Sequence, residues 1–307
     1  MIHTHANKGL VWLDVESPQE EEIAGLIKRY GLHPLVGEEL KTSTSNAKID
    51  FYKEYIVIVL KLPVRTRSGK NYEIKDREVD FIIGKNFLIT CRYDTIEQLE
   101  YFSKVFEANT ILNKNEKIEH AGHLFYYMVS RIYSGMREDL ENIRDSLITA
   151  ESKIFNGEER KMVEAISNIS RELIDFKQTA RVHREIWEQM LEHGATELFG
   201  SDYSSYIGDI HDEFSRINDL IVNARELLAD LRETNDSLVD TKQNETIRIL
   251  TLVAFFFSPL TFIAAVFTIP AAKVPIIHSS SGWLMILFIM LAFAGAIWYF
   301  FKKHKWI

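Results

Sequence analysis

The chain is most hydrophobic near its C-terminal end. Two long apolar runs, at 249–269 and 283–301, contain no charged residue. At about 1.5 Å of rise per residue, each run forms a helix about 30 Å long, which matches the hydrocarbon thickness of a bilayer. Trp283 and Trp298 lie at the two ends of the second run, as expected of aromatic anchors at membrane interfaces. We therefore predict two transmembrane helices joined by a short loop at 270–282.

One side of the first predicted membrane helix is narrow and mildly polar. Alternating steps of three and four residues from Asn244 pass, beyond Ile247, only through small or hydroxyl-bearing side chains, whereas most other positions are bulky and apolar. Such a stripe is typical either of close helix packing in lipid or of a pore wall polar enough for an ion. This stripe consists of Asn244, Ile247, Thr251, Ala254, Ser258, Thr261, Ala265 and Thr268.

A second periodic pattern precedes the membrane. Apolar residues recur there at the 3-4 spacing of a coiled-coil seam. No Gly or Pro occurs between residues 209 and 258, so we predict one helix from about 203 to 269, kinked at Pro259. The seam either packs on preceding helices of the same chain or joins subunits into a symmetric ring. Its residues are Ile207, Ile210, Phe214, Ile217, Ile221, Ala224, Leu228 and Leu231.

The N-terminal part alternates strands and helices. Residues 10–15 and 55–62 have the composition of strands, and the segments that flank Gly84-Lys85-Asn86 predict a hairpin. Ser17-Pro18-Gln19-Glu20 predicts a capping box with Pro in the first turn of a helix.

Two highly charged helical segments follow, at 118–156 and 158–198, with a break at Asn156-Gly157. The whole pattern predicts an α+β membrane protein whose very long stalk helix continues into the first of two C-terminal transmembrane helices. The predicted domains are a cytoplasmic α/β domain (1–115), a cytoplasmic helical hairpin (116–202), the stalk helix (203–248), transmembrane helix 1 (249–269), an extracytoplasmic loop (270–282), transmembrane helix 2 (283–301) and a basic cytoplasmic tail (302–307).

Charge is divided unevenly between these parts. The formal net charge is −8, although no Asp or Glu follows Glu245 and several basic residues do. The acidic front part argues against nucleic-acid binding, because phosphates would be repelled. The basic tail places the C-terminus in the cytoplasm by the positive-inside rule, and two crossings place the N-terminus there too. We therefore expect a multi-pass protein of the cell (inner or plasma) membrane with both termini cytoplasmic.

The predicted cytoplasmic part offers little chemistry. It has no glycine-rich nucleotide-binding motif and no H-E-x-x-H metal motif, so we expect no enzyme. The single cysteine, Cys91, excludes a disulfide framework and a multi-thiolate zinc site. His120 and His123 are three residues apart on a predicted helix, and such a lone pair is more typical of a surface than of metal ligands.

Acidic residues along the predicted stalk suit cations. Asp209, with His211 and Asp212 beside it, belongs either to a solvated helical face or to a divalent-ion site between subunits. In a ring of subunits, four acidic residues just before the membrane would favour cations at the inner mouth. These four are Glu233, Asp236, Asp240 and Glu245.

The membrane segment resembles that of a known family. The stretch 244–267, with its block Pro259-Leu260-Thr261-Phe262-Ile263-Ala264, is similar to the first transmembrane helix of CorA-type magnesium transporters. The basic tail and Trp12-Leu13-Asp14-Val15 also resemble that family. The resemblance implies a funnel-shaped homopentamer, divalent cations as cargo, and a regulatory metal ligand at Asp209. It also implies that the first membrane helix of each subunit lines a central pore, with Asn244, Ile247, Ser258 and Thr261 at pore positions.

The outer end of that helix departs from the family. The family signature Gly-Met-Asn is here Thr268-Ile269-Pro270, and Pro270 has neither a side-chain acceptor nor an amide hydrogen. Lys273 is the only formal charge between the two apolar runs, and five copies of it would oppose cation entry. We therefore expect a transporter of magnesium-like divalent cations with an altered ion preference. The alternative is a non-conducting pentameric membrane scaffold or sensor.

Overall fold

The computed structural model describes residues 1–7, 9–44, 46–69, 71–111, 118–193, 195–268 and 282–304. The chain divides into two compact units, Met1–Asn235 and Asp236–Ile307. The first unit is an α+β domain, and the second consists of the end of one long helix and a separate apolar helix. This architecture confirms the predicted fold class.

A six-stranded mixed sheet forms the centre of the first unit. Its strand order is β1-β2-β6-β5-β4-β3, with β2 and β6 parallel and the other neighbours antiparallel. The predicted strands and the hairpin are present, whereas β1 and β3, which lie at the two edges, were not predicted. The strands are β1 (Ile2–Asn7), β2 (Leu10–Glu16), β3 (Lys48–Phe51), β4 (Tyr55–Ser68), β5 (Asn71–Gly84) and β6 (Phe87–Arg92).

Nine helices are described in the ranges given above. The break predicted at Asn156-Gly157 is a kink within Ile154–Glu158, where Gly157 takes the left-handed φ of 90°. The second predicted helical arm is divided into three helices rather than one. The helices are α1 (Glu20–Tyr30), α2 (Pro34–Glu39), α3 (Glu97–Ile111), α4 (Ala121–Lys153), α5 (Glu159–Ala180), α6 (His183–His193), α7 (Ala195–Phe199), α8 (Tyr203–Phe267) and α9 (Gly282–Lys303).

Both faces of the sheet are covered, and successive side chains of β2 point to opposite faces. Leu13 and Val15 belong to an apolar core that includes Ile23 and Leu26 of α1. Trp12 points to the other side, where its ring lies 5.7 Å from that of Phe102 on α3. Burial on both faces explains why residues 10–13 of β2 form a continuous apolar run rather than an alternating one.

The start of α1 lies two residues later than the predicted capping box. Ser17 takes a left-handed φ of 44° and its backbone N–H donates to the carbonyl of Arg92 at 2.8 Å, so it ends β2 instead of capping the helix. Gln19 occupies the cap position, and its N–H donates to the Glu22 carboxylate at 3.0 Å. The prediction failed because the turn is fixed by the neighbouring strand β6, which is remote in sequence.

A chain of buried hydrogen bonds ties the sheet to the helices. The Nε2 of His183 on α6 lies 2.8 Å from the carbonyl oxygen of Lys61 on β4. A carbonyl only accepts, so Nε2 carries the ring proton and Nδ1 is an acceptor. The Tyr133 hydroxyl therefore donates to Nδ1 across 3.0 Å, and the same hydroxyl accepts from Trp187 Nε1 at 2.6 Å. All four groups are satisfied only while His183 is neutral, and burial lowers the pKa of His183 to about 4.

We predict that His183 contributes to loss of stability in acid. Its pKa in the folded protein lies below the ordinary value of 6.5, so the unfolded chain binds the proton first and stability falls as the pH falls from 6.5 towards about 4. The loss reaches about 3 kcal/mol when the whole window is crossed. His183→Asn retains an acceptor and takes up no proton, so its apparent melting temperature should fall less between pH 7 and pH 4.5 than that of the wild type in detergent.

His33→Asn is the matched control for this experiment. His33 is exposed and its Nδ1 accepts from the Leu35 N–H at the start of α2, a position that Asn also suits. The control should keep the acid sensitivity of the wild type. An equal acid loss in His183→Asn and the wild type would contradict the role given to His183.

Candidate functional site

The predicted seam of α8 is buried within its own chain. Phe214 packs against the rings of Tyr133 and His183, with ring centres 5.9 and 5.6 Å away. At the start of the helix, the Tyr203 hydroxyl donates to the carbonyl of Gly122 on α4 at 2.8 Å. All the seam positions from Ile207 to Leu231 are buried. Of the two interpretations of the seam, the structure therefore supports packing on preceding helices of the same chain.

The opposite side of the same helix stretch is exposed and mostly acidic, with Arg216 and Asn223 among its acidic residues. Six acidic residues on this side follow the 3-4 spacing of the seam, about half a turn away from it. In sequence, the same spacing continues through Ser237 and Asp240 to Asn244, where the polar stripe begins. The exposed acidic residues are Asp209, Asp212, Asp219, Glu226, Asp230 and Glu233.

Asp209, the predicted metal ligand, is exposed and has a partner on α4. The Tyr126 hydroxyl donates to Asp209 Oδ2 at 2.6 Å. Burial, together with this hydrogen bond, raises the pKa of Tyr126 to about 12, so the phenol remains a donor at neutral pH. Nearby, His211 Nδ1 lies 3.8 Å from Asp212 Oδ1. No group of three or more His, Cys, Asp or Glu in the described part of the chain could hold a metal ion.

Glu213 lies one helical turn after Asp209. Its Oε2 is buried and has no hydrogen-bond partner among the described residues. Burial, followed by repulsion from Asp209, raises the pKa of Glu213. Arg137 and Arg216 act on the pKa of Glu213 in the opposite direction, so two carboxylates and two guanidinium groups lie near one another here.

The expectation that His120 and His123 lie at the surface is wrong. Their rings stack 4.0 Å apart at the start of α4, and that of His120 also stacks on Phe199 of α7 at 4.9 Å. His123 is buried, and burial lowers the pKa of both histidines. A Cβ on Gly122 would lie 2.8 Å from the Tyr203 ring, so close packing explains the glycine between the histidines. The aromatic partners come from helices some 80 residues away in sequence, which the local pattern could not show.

The second unit carries the polar stripe. Two helices of the described chain, α8 and α9, are long and apolar enough to cross a membrane. All eight stripe residues are exposed in the single chain. Three hydroxyls of the stripe donate back to carbonyls of their own helix, over 2.7–2.8 Å: Thr251 to Ile247, Thr261 to Ser258 and Thr268 to Ala265. Because the protons are used inside the helix, the hydroxyl oxygens offer lone pairs to a neighbour or a cation.

The predicted outer mouth is described only in part. Thr268 forms a turn immediately after α8, whereas Ile269, Pro270 and Lys273 lie outside the described residues. At the far end of α9, Lys302 Nζ lies 5.0 Å from the centre of the Trp298 ring. This pairing is typical of aromatic and basic side chains at a membrane interface.

An α+β unit followed by two apolar helices long enough to cross a membrane is the architecture of a membrane protein. The model of the CorA-like Mg2+ transporter protein family matches residues 7–303, and the chain belongs to this family.

Two relatives and one solved structure are similar to this chain over nearly its whole length. The chain is 24% identical to the cobalt/magnesium transport protein CorA of Thermotoga maritima, covering 96% of this chain and 83% of the relative. It is 22% identical to the protein of the same name from Methanocaldococcus jannaschii, covering 97% and 92%. The complete structure of the CorA magnesium transporter from Methanocaldococcus jannaschii has the same fold, with a TM-score of 0.82 at 19% identity over 99% of this chain and 93% of that one.

We predict that the seam stabilises the protomer rather than a subunit contact. Ile221→Ala removes a fully buried branched side chain and should cost about 2–5 kcal/mol, seen as a lower apparent melting temperature. Val222→Ala, at the adjacent and 40% exposed position, is the control and should change stability by about 0.5 kcal/mol or less. If Ile221→Ala left the melting temperature unchanged but dissociated the oligomer, the seam would have to join subunits.

Proposed function

We propose that the protein carries divalent cations across the cell membrane as a ring of identical subunits, with α8 lining the central path. The observation that carries this proposal is the exposed stripe of α8, whose threonine oxygens present lone pairs after their protons are used within the helix. Relatives named as cobalt/magnesium transport proteins support divalent cations as the cargo. The family resemblance supports a homopentamer.

The acidic side of α8 also supports the selection of cations over anions. Its carboxylates are exposed in the single chain, on the side that the seam leaves free. In a ring with α8 innermost, each carboxylate is repeated once per subunit, which concentrates negative charge before the membrane and raises the local cation concentration. Asp209, on this side, is proposed as a ligand of a regulatory divalent cation completed by another subunit.

The proposed topology places both termini in the cytoplasm. Lys302 and Lys303 end α9, so the positive-inside rule assigns the basic end of α9 to the cytoplasmic side, and two crossings assign the first unit to the same side. The segment between α8 and α9 then faces outside.

The ion preference is proposed to differ from that of members with the Gly-Met-Asn signature. A ring of amide oxygens can hold a hydrated cation, but Pro270 supplies no side-chain oxygen. Lys273 adds a positive charge in the same segment. A hydrated magnesium ion therefore loses its usual acceptors at the outer end of the path.

We predict that bulk on the stripe blocks transport. Ser258→Leu and Thr261→Leu replace small oxygen-bearing side chains by branched apolar ones, so each should abolish most of the flux of Mg2+ or Co2+ into proteoliposomes. Phe257→Leu, adjacent in sequence but off the stripe, is the control and should retain flux.

Two results would count against the pore assignment. Unchanged flux in the stripe variants, with a loosened oligomer, would make the stripe a packing face. Absence of flux of magnesium, zinc, cobalt, potassium and chloride in the wild type, compared with empty liposomes, would indicate a non-conducting scaffold or sensor.

A second prediction concerns the outer mouth. The triple variant Thr268→Gly, Ile269→Met, Pro270→Asn restores an amide acceptor, so the ratio of Mg2+ to Co2+ flux should rise relative to the wild type. Thr268→Gly alone is the matched control, because it adds no acceptor. An unchanged flux ratio in the triple variant would show that residue 270 does not set the preference.

A further inference from the structure

The hydrogen bond between Tyr126 and Asp209 joins α4 to the exposed side of α8. Tyr126 is half-buried, and its ring packs edge-to-face against that of Tyr206, with ring centres 5.0 Å apart. Asp209 is exposed, and its Oδ2 accepts from the Tyr126 hydroxyl at 2.6 Å. A rigid aromatic side chain on one helix therefore holds one oxygen of a flexible carboxylate on another.

Without this bond, nothing on α8 itself would keep Asp209 in one orientation. Glu213 lies one turn further along the same helix, close enough for its carboxylate to repel that of Asp209. An exposed aspartate beside a like charge would be driven towards other rotamers. The hydrogen bond selects the rotamer in which Oδ2 faces α4.

The chemical type of the partner matters as much as its position. A lysine or arginine would also orient the carboxylate, but it would cancel the negative charge that attracts a cation. A phenol is neutral at physiological pH, because the ordinary pKa of tyrosine is about 10. Tyr126 therefore orients Asp209 while leaving its charge, and Oδ1, available to a cation.

We propose that Tyr126 is a positioning residue for divalent-cation binding at Asp209: its hydroxyl fixes Oδ2 so that Oδ1 is presented to the ion. The proposal rests on the proposed function, in which Asp209 is a ligand of a regulatory cation. Hydrogen bonds to the second oxygen of a ligating carboxylate are a general feature of metal sites, and their loss lowers metal affinity by about 10–100-fold.

The test compares the metal-dependent and metal-independent stability of the full-length protein in detergent. The apparent melting temperature is measured in EDTA and over a MgCl2 titration for the wild type, Tyr126→Phe, Asp209→Asn and the double variant. Tyr206→Phe is the matched control, because it removes a hydroxyl from the same aromatic cluster and keeps the ring that packs on Tyr126.

For Tyr126→Phe, we expect the Mg2+ midpoint to rise about tenfold or more while the melting temperature in EDTA stays that of the wild type. Asp209→Asn should raise the midpoint further, and adding Tyr126→Phe to it should have no additional effect, because the two residues act through one bond. Tyr206→Phe should keep the wild-type midpoint.

The results that overturn the proposal are distinguishable from failure of the proposed function. If Asp209→Asn raises the midpoint but Tyr126→Phe does not, Asp209 is a ligand that Tyr126 does not position. If Tyr126→Phe lowers the melting temperature in EDTA with an unchanged midpoint, its role is only structural. If neither Mg2+ nor Asp209→Asn has any effect, the regulatory role of Asp209 fails, and the role of Tyr126 fails with it.

Discussion

Helix α8 packs on one side only, and much of the molecule follows from that constraint. Its apolar residues recur at alternating steps of three and four, so they form a single narrow seam that the rest of the first unit covers. The residues about half a turn away cannot reach that core and are exposed and mostly acidic. Because no Gly or Pro interrupts the helix between residues 209 and 258, the same helix carries both this acidic side and the apolar residues of the membrane segment.

The seam packs on side chains of the first unit that buried hydrogen bonds hold in place. His183, Tyr133 and Trp187 satisfy one another through neutral hydrogen bonds, and the His183 ring also contacts Phe214 of the seam. Elsewhere the same unit buries a charged pair, with Arg65 Nε 2.8 Å from a Glu172 oxygen. Buried polar groups that are fully paired fix the relative positions of strands and helices more sharply than apolar contact alone, because each bond has a narrow geometry.

Prediction from sequence succeeded where the signal was periodic or local. The seam of α8, the β5–β6 hairpin and the break at Gly157 each rest on residues close together in the chain. It failed where a distant element decides the outcome. Ser17 ends a strand against β6 rather than capping a helix, and His120 lies against α7 and α8 rather than at the surface.

The features of the candidate site likewise divide into those that local sequence determines and those that distant elements decide. Helical periodicity fixes which residues share one side of a helix. The sequence by itself therefore determined that α8 is one long helix and that a stripe of small and hydroxyl-bearing residues runs along its membrane part. It also determined that Asp209 lies on the acidic side of α8. Only the tertiary structure decided that the seam is covered by the same chain and that Tyr126 holds Asp209. Those outcomes depend on α4 and α6 lying beside α8, and contacts between segments so far apart in sequence leave no periodic trace in either one.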